Sequence, residues 1–259
     1  MRNAMVAVIL VSPLFAIMGT LVVNNRMAFF SDAIGHASLT GLGLGVLLGL
    51  ADPLVALVGF SMLLGLGILV LHRVTRSSMD TIISLCMSFS IALGIVLLSR
   101  GGNFSSFSRY LIGDLLSITP EEIGWLFLTL VLVGGGLLLF YNRILLVGIN
   151  DALARSRGLS IWWIQVFFVA AIVMVVTMNL SWVGILIINS LLILPAAAAR
   201  NLAADTRQYV IFSVAIALVS GVSGLMLSYY WDTASGATIV LVAMGAYLLT
   251  LAAKSLRPR

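Results

Sequence analysis

Charged residues are scarce in this sequence. Only 9% of the 259 residues are Asp, Glu, Lys or Arg, whereas 61% are hydrophobic, and the mean hydropathy is +1.18. Because a soluble domain carries about a quarter of its residues as charges, the composition excludes an ordinary water-soluble globule. It predicts an all-α polytopic membrane protein in which residues 1–259 form a single transmembrane domain surrounded by lipid.

Cysteine and lysine are almost missing. Cys86 is the single cysteine, which excludes an internal disulfide framework and a C-x-x-C metal site. Lys254 is the single lysine, and the glycines of a phosphate-binding loop do not precede it. We therefore expect no enzyme here, and any ATP hydrolysis would belong to a separate chain. The net charge of +5 concerns loop orientation, and no nucleic-acid partner is expected.

Long apolar runs dominate what is present. A run of about 17–25 apolar residues can cross a bilayer as a helix. Nine candidates occur, at roughly 4–23, 27–50, 54–72, 80–99, 123–141, 161–178, 182–199, 209–230 and 236–253. About nine transmembrane helices are predicted, with eight possible. The segment 103–118 is too polar at its start to span, and we interpret it as a short interfacial or re-entrant helix.

The basic residues alternate between loops. Arg or Lys follows the third, fifth and seventh runs and fills the C-terminal tail, whereas 51–53, 179–182 and 231–235 contain neither. Cytoplasmic loops collect Arg and Lys, so the C-terminus of a multi-pass protein in the cell (inner or cytoplasmic) membrane is predicted to be cytoplasmic. Arg100 and Arg109 do not fit this alternation.

The second run carries a stripe of small residues. Its members, spaced four apart, are Ala33, Ala37, Gly41, Gly45 and Gly49. Residues four apart lie above one another on a helix, and small side chains let helix backbones approach closely in a membrane. The stripe predicts a helix-packing face.

An adjacent stripe of the same run is polar: Asp32, His36 and Thr40. Counted from Arg26 at about 1.5 Å per residue, Asp32 lies ~9 Å and His36 ~15 Å into a core of about 30 Å. One interpretation is an Asp–His hydrogen bond that ties helices together. The other is a cation or proton site, in which carboxylate and imidazole suit Zn, Mn or Fe and Thr40 is a weaker ligand.

The longest basic loop, 142–160, contains "INDALARSRGLS". Asp151 can cap a short helix, residues 152–157 can form it, and Gly158 can end it. Arg155 and Arg157 add positive charge. The segment is the best candidate for the dock of a separate ATPase, and an ordinary cytoplasmic loop is the alternative.

These motifs together resemble the membrane-spanning permease subunits of the ABC importers for zinc, manganese and iron. "NRMAFFSDAIGHASLTG" is similar to the family's first motif through Arg26, Met27, Ala28, Asp32, Ala33, Ile34, His36, Ala37, Leu39 and Gly41. Three later segments are also similar to the family. The first matches through Gly113 and Asp114, and the second through Asp151, Ala154 and Gly158. The third, an alanine-rich helix, matches through Gly184, Leu192, Pro195, Ala196 and Ala197. Thr40 stands where the family has proline, and Asn24 and Asn25 precede a single Arg.

The resemblance implies an all-α fold related to vitamin B12-type ABC permeases and a homodimer of this chain. It implies two cytoplasmic ATPase subunits and an external metal-binding protein as partners. It assigns Asp32 and His36 to the path of a divalent metal that is cargo, with no permanently bound cofactor. It places ATPase coupling at 151–158, and Pro195 belongs to a packed helix.

Two further readings of the residues remain. An ion-coupled secondary transporter or channel would use Asp32 and His36 as a proton relay, and it would work without an ATPase. A non-transporting scaffold would leave an intramembrane Asp unexplained. The residues do not select among Zn, Mn and Fe, because all three accept carboxylate and imidazole ligands.

Overall fold

The computed structural model describes residues 1–50, 52–75, 77–101 and 115–256, and the regular elements in those ranges are helical. In chain order they are α1 (Arg2–Asn24), α2 (Phe30–Leu47), α3 (Pro53–Val74), α4 (Met79–Gly101), α5 (Pro120–Thr129), α6 (Gly135–Ile149), α7 (Asp151–Ser156), α8 (Ile161–Val183), α9 (Ile185–Leu202), α10 (Thr206–Trp231) and α11 (Ser235–Ser255). The 3-10 turn Leu115–Ser117 precedes α5, and the π-helical turn Leu130–Gly134 joins α5 to α6.

Eight helices in the described ranges are long and apolar enough to cross a membrane. They match eight of the nine predicted runs, so the predicted all-α membrane fold is confirmed. The remaining predicted run, 27–50, forms α2, an 18-residue helix whose polar stripe makes it less apolar than the others. The predicted interfacial segment 103–118 lies mostly outside the described residues, as do Arg76 and Arg109.

The contacts divide the chain into two compact units. The first comprises residues 1–23, 112–138 and 182–259, and the second comprises 24–111 and 139–181. Each unit is built from several separate segments of the sequence, so neither unit is a contiguous domain.

Close backbone contacts hold the first unit together. A Cβ atom added at Gly224 would lie 2.6 Å from the Cα of Ile239, so α10 and α11 approach at van der Waals distance there. A Cβ at Gly221 would lie 2.7 Å from a methyl carbon of Val8 on α1. The buried Ser213 donates to the carbonyl oxygen of Ala16 at 3.2 Å. Small residues thus allow the close helix packing that a membrane protein needs.

The predicted loop at 179–182 is helical instead. Helix α8 continues to Val183, and the chain turns at Gly184, whose φ of 79° is open mainly to glycine. The buried Asn179 donates its side-chain N–H to the carbonyl oxygen of Val175 at 2.6 Å. Because this hydrogen bond is local, a polar residue fits inside the helix and does not mark a loop.

In the second unit, α2 packs against both α3 and α4, and α3 also contacts α4. Twelve of the 18 residues of α2 are buried. The ring of Phe30 and the methyl groups of Val169 and Val173 on α8 surround Gly65 of α3, where an added Cβ would lie within 3.1–3.4 Å of them. The polar stripe of α2 is therefore held on a helix fixed by its neighbours.

Candidate functional site

The small residues of α2 place this helix directly against α3. Ala33 and Ala37 are fully buried. A Cβ at Gly41 would lie 2.7 Å from the carbonyl oxygen of Ala56 and 2.9 Å from the Cα of Leu57, so no larger residue fits without moving backbone. This close approach fixes the rotation of α2 about its axis, and with it the direction of the neighbouring polar stripe.

The two last members of the predicted stripe differ from each other. Gly45 is buried within α2. Gly49 lies beyond the end of the helix at Leu47, is exposed, and has no other atom within 4 Å of an added Cβ. Its φ of 63° is the left-handed conformation with which helices commonly end. Gly49 therefore acts at the end of α2 and does not pack against another helix.

Asp32 and His36 lie one turn apart on α2 and face each other. The His36 Nε2 and the Asp32 Oδ1 are 3.8 Å apart, which exceeds hydrogen-bond distance. Two ligands bound to one tetrahedral zinc at about 2.1 Å lie roughly 3.4 Å apart. The observed separation is therefore close to what a shared metal ion requires.

The pair is only partly covered by its own chain. The His36 and Asp32 side chains are 28% and 30% exposed. Within the described residues, no group of three or more His, Cys, Asp or Glu side chains is arranged to hold a metal ion. One chain thus supplies two ligands of this kind at this place, and a full coordination sphere needs ligands from elsewhere.

Thr40, the third member of the polar stripe, lies in the contact between α2 and α4. Its hydroxyl donates to the carbonyl oxygen of Ser90 at 2.7 Å, and the residue is 1% exposed. The Oγ1 of Thr40 would lie 2.6 Å from a Cβ added at Gly94, so Gly94 makes room for it. The structure thus separates Thr40 from the partly exposed pair by giving its hydroxyl a partner on α4.

The segment before α2 is attached to the end of α6. The side-chain N–H of Asn24 donates to the carbonyl oxygen of Leu145 at 3.3 Å. A Cβ at Gly148 would lie 2.7 Å from side-chain atoms of both Asn24 and Asn25. The adjacent Arg26 has a φ of 57°, which is unusual for a residue other than glycine. The two asparagines thus anchor the entry to the helix that carries the site.

The predicted short helix in the basic loop is present as α7, with two changes of boundary. Helix α6 continues to Ile149, so the connection is shorter than the predicted 142–160. The capping residue is Asn150, whose side chain accepts from the N–H of Leu153 at 3.1 Å, and Asp151 is the first helical residue. Asparagine caps at least as well as aspartate, and the one-residue difference places the Asp151 carboxylate in the first turn.

The end of α7 follows the predicted pattern. Gly158 has a φ of 72°, and its N–H donates to the carbonyl oxygen of Arg155. The N–H of Leu159 donates to the carbonyl oxygen of Ala154, which completes a Schellman motif. Ala154 is fully buried, whereas Arg155 and Arg157 are exposed. The helix therefore presents basic side chains and is fixed by one buried alanine.

Pro195 lies inside α9 and is buried. Proline has no N–H to donate to the carbonyl four residues earlier, so the helix lacks one bond there. Gly19 of α1 contacts the carbonyl oxygen of Leu192, a position that would not admit a Cβ. Gly113 and Asp114, the other matching motif positions, lie outside the described residues.

Two residues without a predicted role lie near α7. His72, in the last turn of α3, and Asp80, in the first turn of α4, line a cavity of about 490 Å³ that Asp151 also lines. The sequence held one signal for His72, since it is one of only two histidines. Nothing in the sequence indicated that positions 72, 80 and 151 would line one cavity.

Comparison with known proteins identifies the family. The ABC 3 transport family matches residues 1–254. The chain is 29% identical over 249 residues to the high-affinity zinc uptake system membrane protein ZnuB of Haemophilus influenzae, covering 96% of this chain and 95% of the relative. It is 27% identical over 243 residues to the manganese transport system membrane protein MntC of Listeria monocytogenes, covering 94% and 86%.

A solved structure supports the same fold. PsaBC from Streptococcus pneumoniae, in complex with a Fab, superposes with a TM-score of 0.82 at 24% identity, covering 96% of this chain and 90% of that chain. At that identity the likeness concerns the fold alone. The match across nearly the whole chain settles the family: this chain belongs to the ABC 3 transport family and is a multi-pass membrane permease of the type found in zinc and manganese uptake systems.

Proposed function

We propose that this chain is the permease subunit of an ATP-driven importer for a divalent transition metal, Zn, Mn or Fe. The observation that carries the proposal is the pair Asp32 and His36 on α2, 3.8 Å apart and partly exposed in the single chain. Carboxylate and imidazole together suit such metals, and the imidazole nitrogen makes the pair a poor site for alkali ions. One chain supplies two such ligands, which alone would hold an ion only weakly.

A homodimer would complete the site. The exposed Phe29, just before α2, and the partly exposed Asp32, His36 and Leu39 follow the three-and-four spacing of one helix face. Titratable groups on such a face do not tolerate lipid, so we propose that a second copy covers it. The two pairs would then form one Asp₂His₂ set, which matches the four ligands that zinc prefers.

Cross-linking tests the dimer. The native Cys86 is first replaced by alanine, and Phe29→Cys or Leu39→Cys then places a thiol beside the pair on the same face. We expect rapid disulfide formation between two copies in membranes. Leu63→Cys is the control, because Leu63 is 70% exposed and lies on α3, outside the face of α2 that is proposed to meet the second copy. Equal rates at Leu39 and Leu63 in an active transporter would contradict the shared site.

The coupling region is α7. We propose that Asp151, Arg155, Arg157 and Gly158 form the surface on which a separate cytoplasmic ATPase docks, with the C-terminus of the chain on the same side. The buried Ala154 would hold α7 in place beneath that surface. The support is the exposed basic helix with its buried Ala154 and its glycine end. An external metal-binding protein would deliver the metal from the opposite side.

Reconstitution tests the proposal against ion-coupled transport. The purified chain alone, in vesicles with a proton gradient, is compared with vesicles that also contain the ATPase, ATP and the external binding protein. We expect metal uptake only in the complete set. Uptake by the chain alone on the proton gradient would replace the importer with a secondary transporter that uses Asp32 and His36 as a relay.

A further inference from the structure

A cavity of about 470 Å³ is lined by residues of α3, α7 and α8. Its wall includes Arg73 in the last turn of α3, Arg155 of α7, and Trp162 and Trp163 in the first turn of α8. Helices α3 and α8 are both candidate membrane spans, of 21 and 23 residues. A helix of about 20 residues just crosses the hydrocarbon core, so a cavity at the ends of two such helices lies at the level of the lipid headgroups.

The arginines of this cavity are not neutralised by a carboxylate of the described chain. Asp151 is the one acidic residue among those that line the cavity, which leaves a formal charge of +1 when His72 is neutral. Within the described ranges, the ion pair of Asp32 with a histidine is the only one in which the atoms lie within 4.0 Å. Asp151 therefore shares the cavity with two guanidinium groups and forms an ion pair with neither.

Arg73 is held by an aromatic ring. Its guanidinium carbon lies 4.8 Å from the ring centroid of Trp162, which is a cation–π contact. Because this contact uses the face of the guanidinium group, the N–H donors in its plane can still bind the oxygen atoms of a phosphate group. The cavity thus combines a positioned arginine on α3 with a second arginine on α7.

The tryptophans of the cavity favour a lipid over a free anion. Trp163 is 68% exposed and follows the half-buried Trp162 at the beginning of a membrane span. Exposed tryptophans at such positions are typical of the membrane interface, where the ring lies among the headgroups. Leu159 and Ile161 add apolar surface to the same wall. A phospholipid offers a phosphate to the arginines and acyl chains to the apolar residues, whereas a free anion offers only the charge.

We propose that this cavity binds the headgroup of an anionic phospholipid, with Arg73 and Arg155 in contact with its phosphate. The basic loops predict that these ends of α3 and α8 are cytoplasmic, and basic pockets between membrane helices on that side bind anionic headgroups. The inference goes beyond the proposed metal import and does not depend on it. Because Arg155 belongs to α7, a bound lipid would connect the proposed ATPase dock to the end of α3.

Native mass spectrometry of the purified full-length chain in an uncharged detergent tests the lipid site. Phosphatidylglycerol and phosphatidylcholine with identical acyl chains are titrated separately, and the dissociation constant of the first bound lipid per chain is measured. We expect phosphatidylglycerol to bind roughly fivefold more tightly, which is the contribution of one net basic residue near a lipid surface. The variant Arg73→Gln/Arg155→Gln should lose this preference.

The matched control is Arg143→Gln. Arg143 also lies against an aromatic ring, 5.3 Å from the centroid of Phe140, but it does not line the cavity. This variant should keep the preference for phosphatidylglycerol. Arg73→Lys/Arg155→Lys retains both positive charges and should keep most of it, which separates loss of charge from misfolding. Asp151→Asn should increase the preference, because it removes the one carboxylate from the cavity wall.

Three outcomes would overturn the proposal. An equal loss of preference in Arg143→Gln and in Arg73→Gln/Arg155→Gln would mean that general surface charge, and not this cavity, attracts the lipid. Inorganic phosphate that binds as tightly as phosphatidylglycerol, and that is lost in the same variants, would identify a site for a free anion. Loss of ATPase binding in Arg73→Gln/Arg155→Gln with an unchanged lipid preference would assign the cavity to the ATPase. Each outcome leaves the proposed metal import untouched, since metal uptake in His36→Ala tests that function separately.

Discussion

The two faces of α2 differ in what they contact. Ala33 and Ala37 are fully buried, and Gly41 meets the backbone of α3, whereas Asp32 and His36 on the adjacent face remain about 30% exposed. The contacts of the packing face are made within the chain, between helices of the same compact unit. The titratable face is only partly covered by the chain, and it is there that the proposed function places a metal ion and a second copy.

Thr40 shows that polarity alone does not decide which groups stay accessible. It belongs to the polar stripe, yet its hydroxyl is buried against the carbonyl oxygen of Ser90. A neutral hydroxyl needs only one or two partners to be satisfied, and a neighbouring helix provides them. The Asp32 carboxylate and the His36 imidazole instead remain partly exposed, which leaves room for a ligand beside them.

The largest effect is expected from the accessible face. His36→Ala removes one of two proposed ligands, and even outer-shell partners of a metal cost roughly 10–100-fold in affinity when lost. We expect metal uptake by cells that carry the complete system to fall at least about tenfold at matched membrane abundance, with the ATPase still bound. His36→Asp, which keeps a metal-binding side chain, should retain more uptake than His36→Ala.

Unchanged uptake in His36→Ala would assign the Asp32–His36 contact to helix packing. The metal path would then have to use residues of another helix, and the two faces of α2 would have the same structural role.

The next largest effect is expected from the packing face. Gly41→Ala places a Cβ 2.7 Å from the carbonyl oxygen of Ala56, and overpacking of this kind costs about 1–3 kcal/mol. We expect the apparent unfolding temperature in detergent to fall by several degrees, with uptake per folded molecule much less affected. Gly59→Ala and Gly67→Ala on α3 are matched controls, because no atom lies within 4 Å of a Cβ there. An equal loss of stability in the controls would mean that close α2–α3 contact is not the cause.

Features that depend on the spacing of residues within one helix can be predicted from the sequence. The stripes on α2, the positions of the long helices and the glycine that ends α7 all follow from residues close together in the chain. The four-residue spacing places Gly49 in the packing stripe, but the helix ends two residues before it. Its φ of 63° identifies a helix end that the four-residue period does not reveal.

Features that join distant residues escaped prediction. Thr40 and Ser90 are 50 positions apart in the sequence and share a hydrogen bond. His72, Asp80 and Asp151 line one cavity of about 490 Å³. Such sets depend on how α3, α4 and α7 meet, which no local pattern encodes. The helical segment at 179–182 differs from the predicted loop for another reason: the Asn179 side-chain N–H donates to the carbonyl oxygen of Val175 in its own helix, so a polar residue lies inside that helix.

Thr40→Val tests the boundary between the two faces. The substitution keeps the shape of the side chain and removes the hydrogen bond to Ser90, which should cost about 0.5–1.5 kcal/mol. We expect a modest decrease in unfolding temperature and nearly unchanged uptake, and Thr40→Ser should recover the lost stability. A large loss of uptake in Thr40→Val at normal stability would place the hydroxyl on the metal path.

The smallest effect is expected from a polar pair between α2 and α3. The Ser38 and Ser61 hydroxyl oxygens are 2.9 Å apart, and both residues are fully buried. Ser38 also donates to the carbonyl oxygen of Ile34 in its own helix at 2.8 Å, so Ser61→Ala leaves it with a partner. A double-mutant cycle of Ser38→Ala and Ser61→Ala should therefore give a coupling energy of only about 0.6 kcal/mol, the average for such bonds between membrane helices. A coupling several times larger would mean that side-chain hydrogen bonds, more than the approach of backbones at Gly41, hold the buried face of α2 in place.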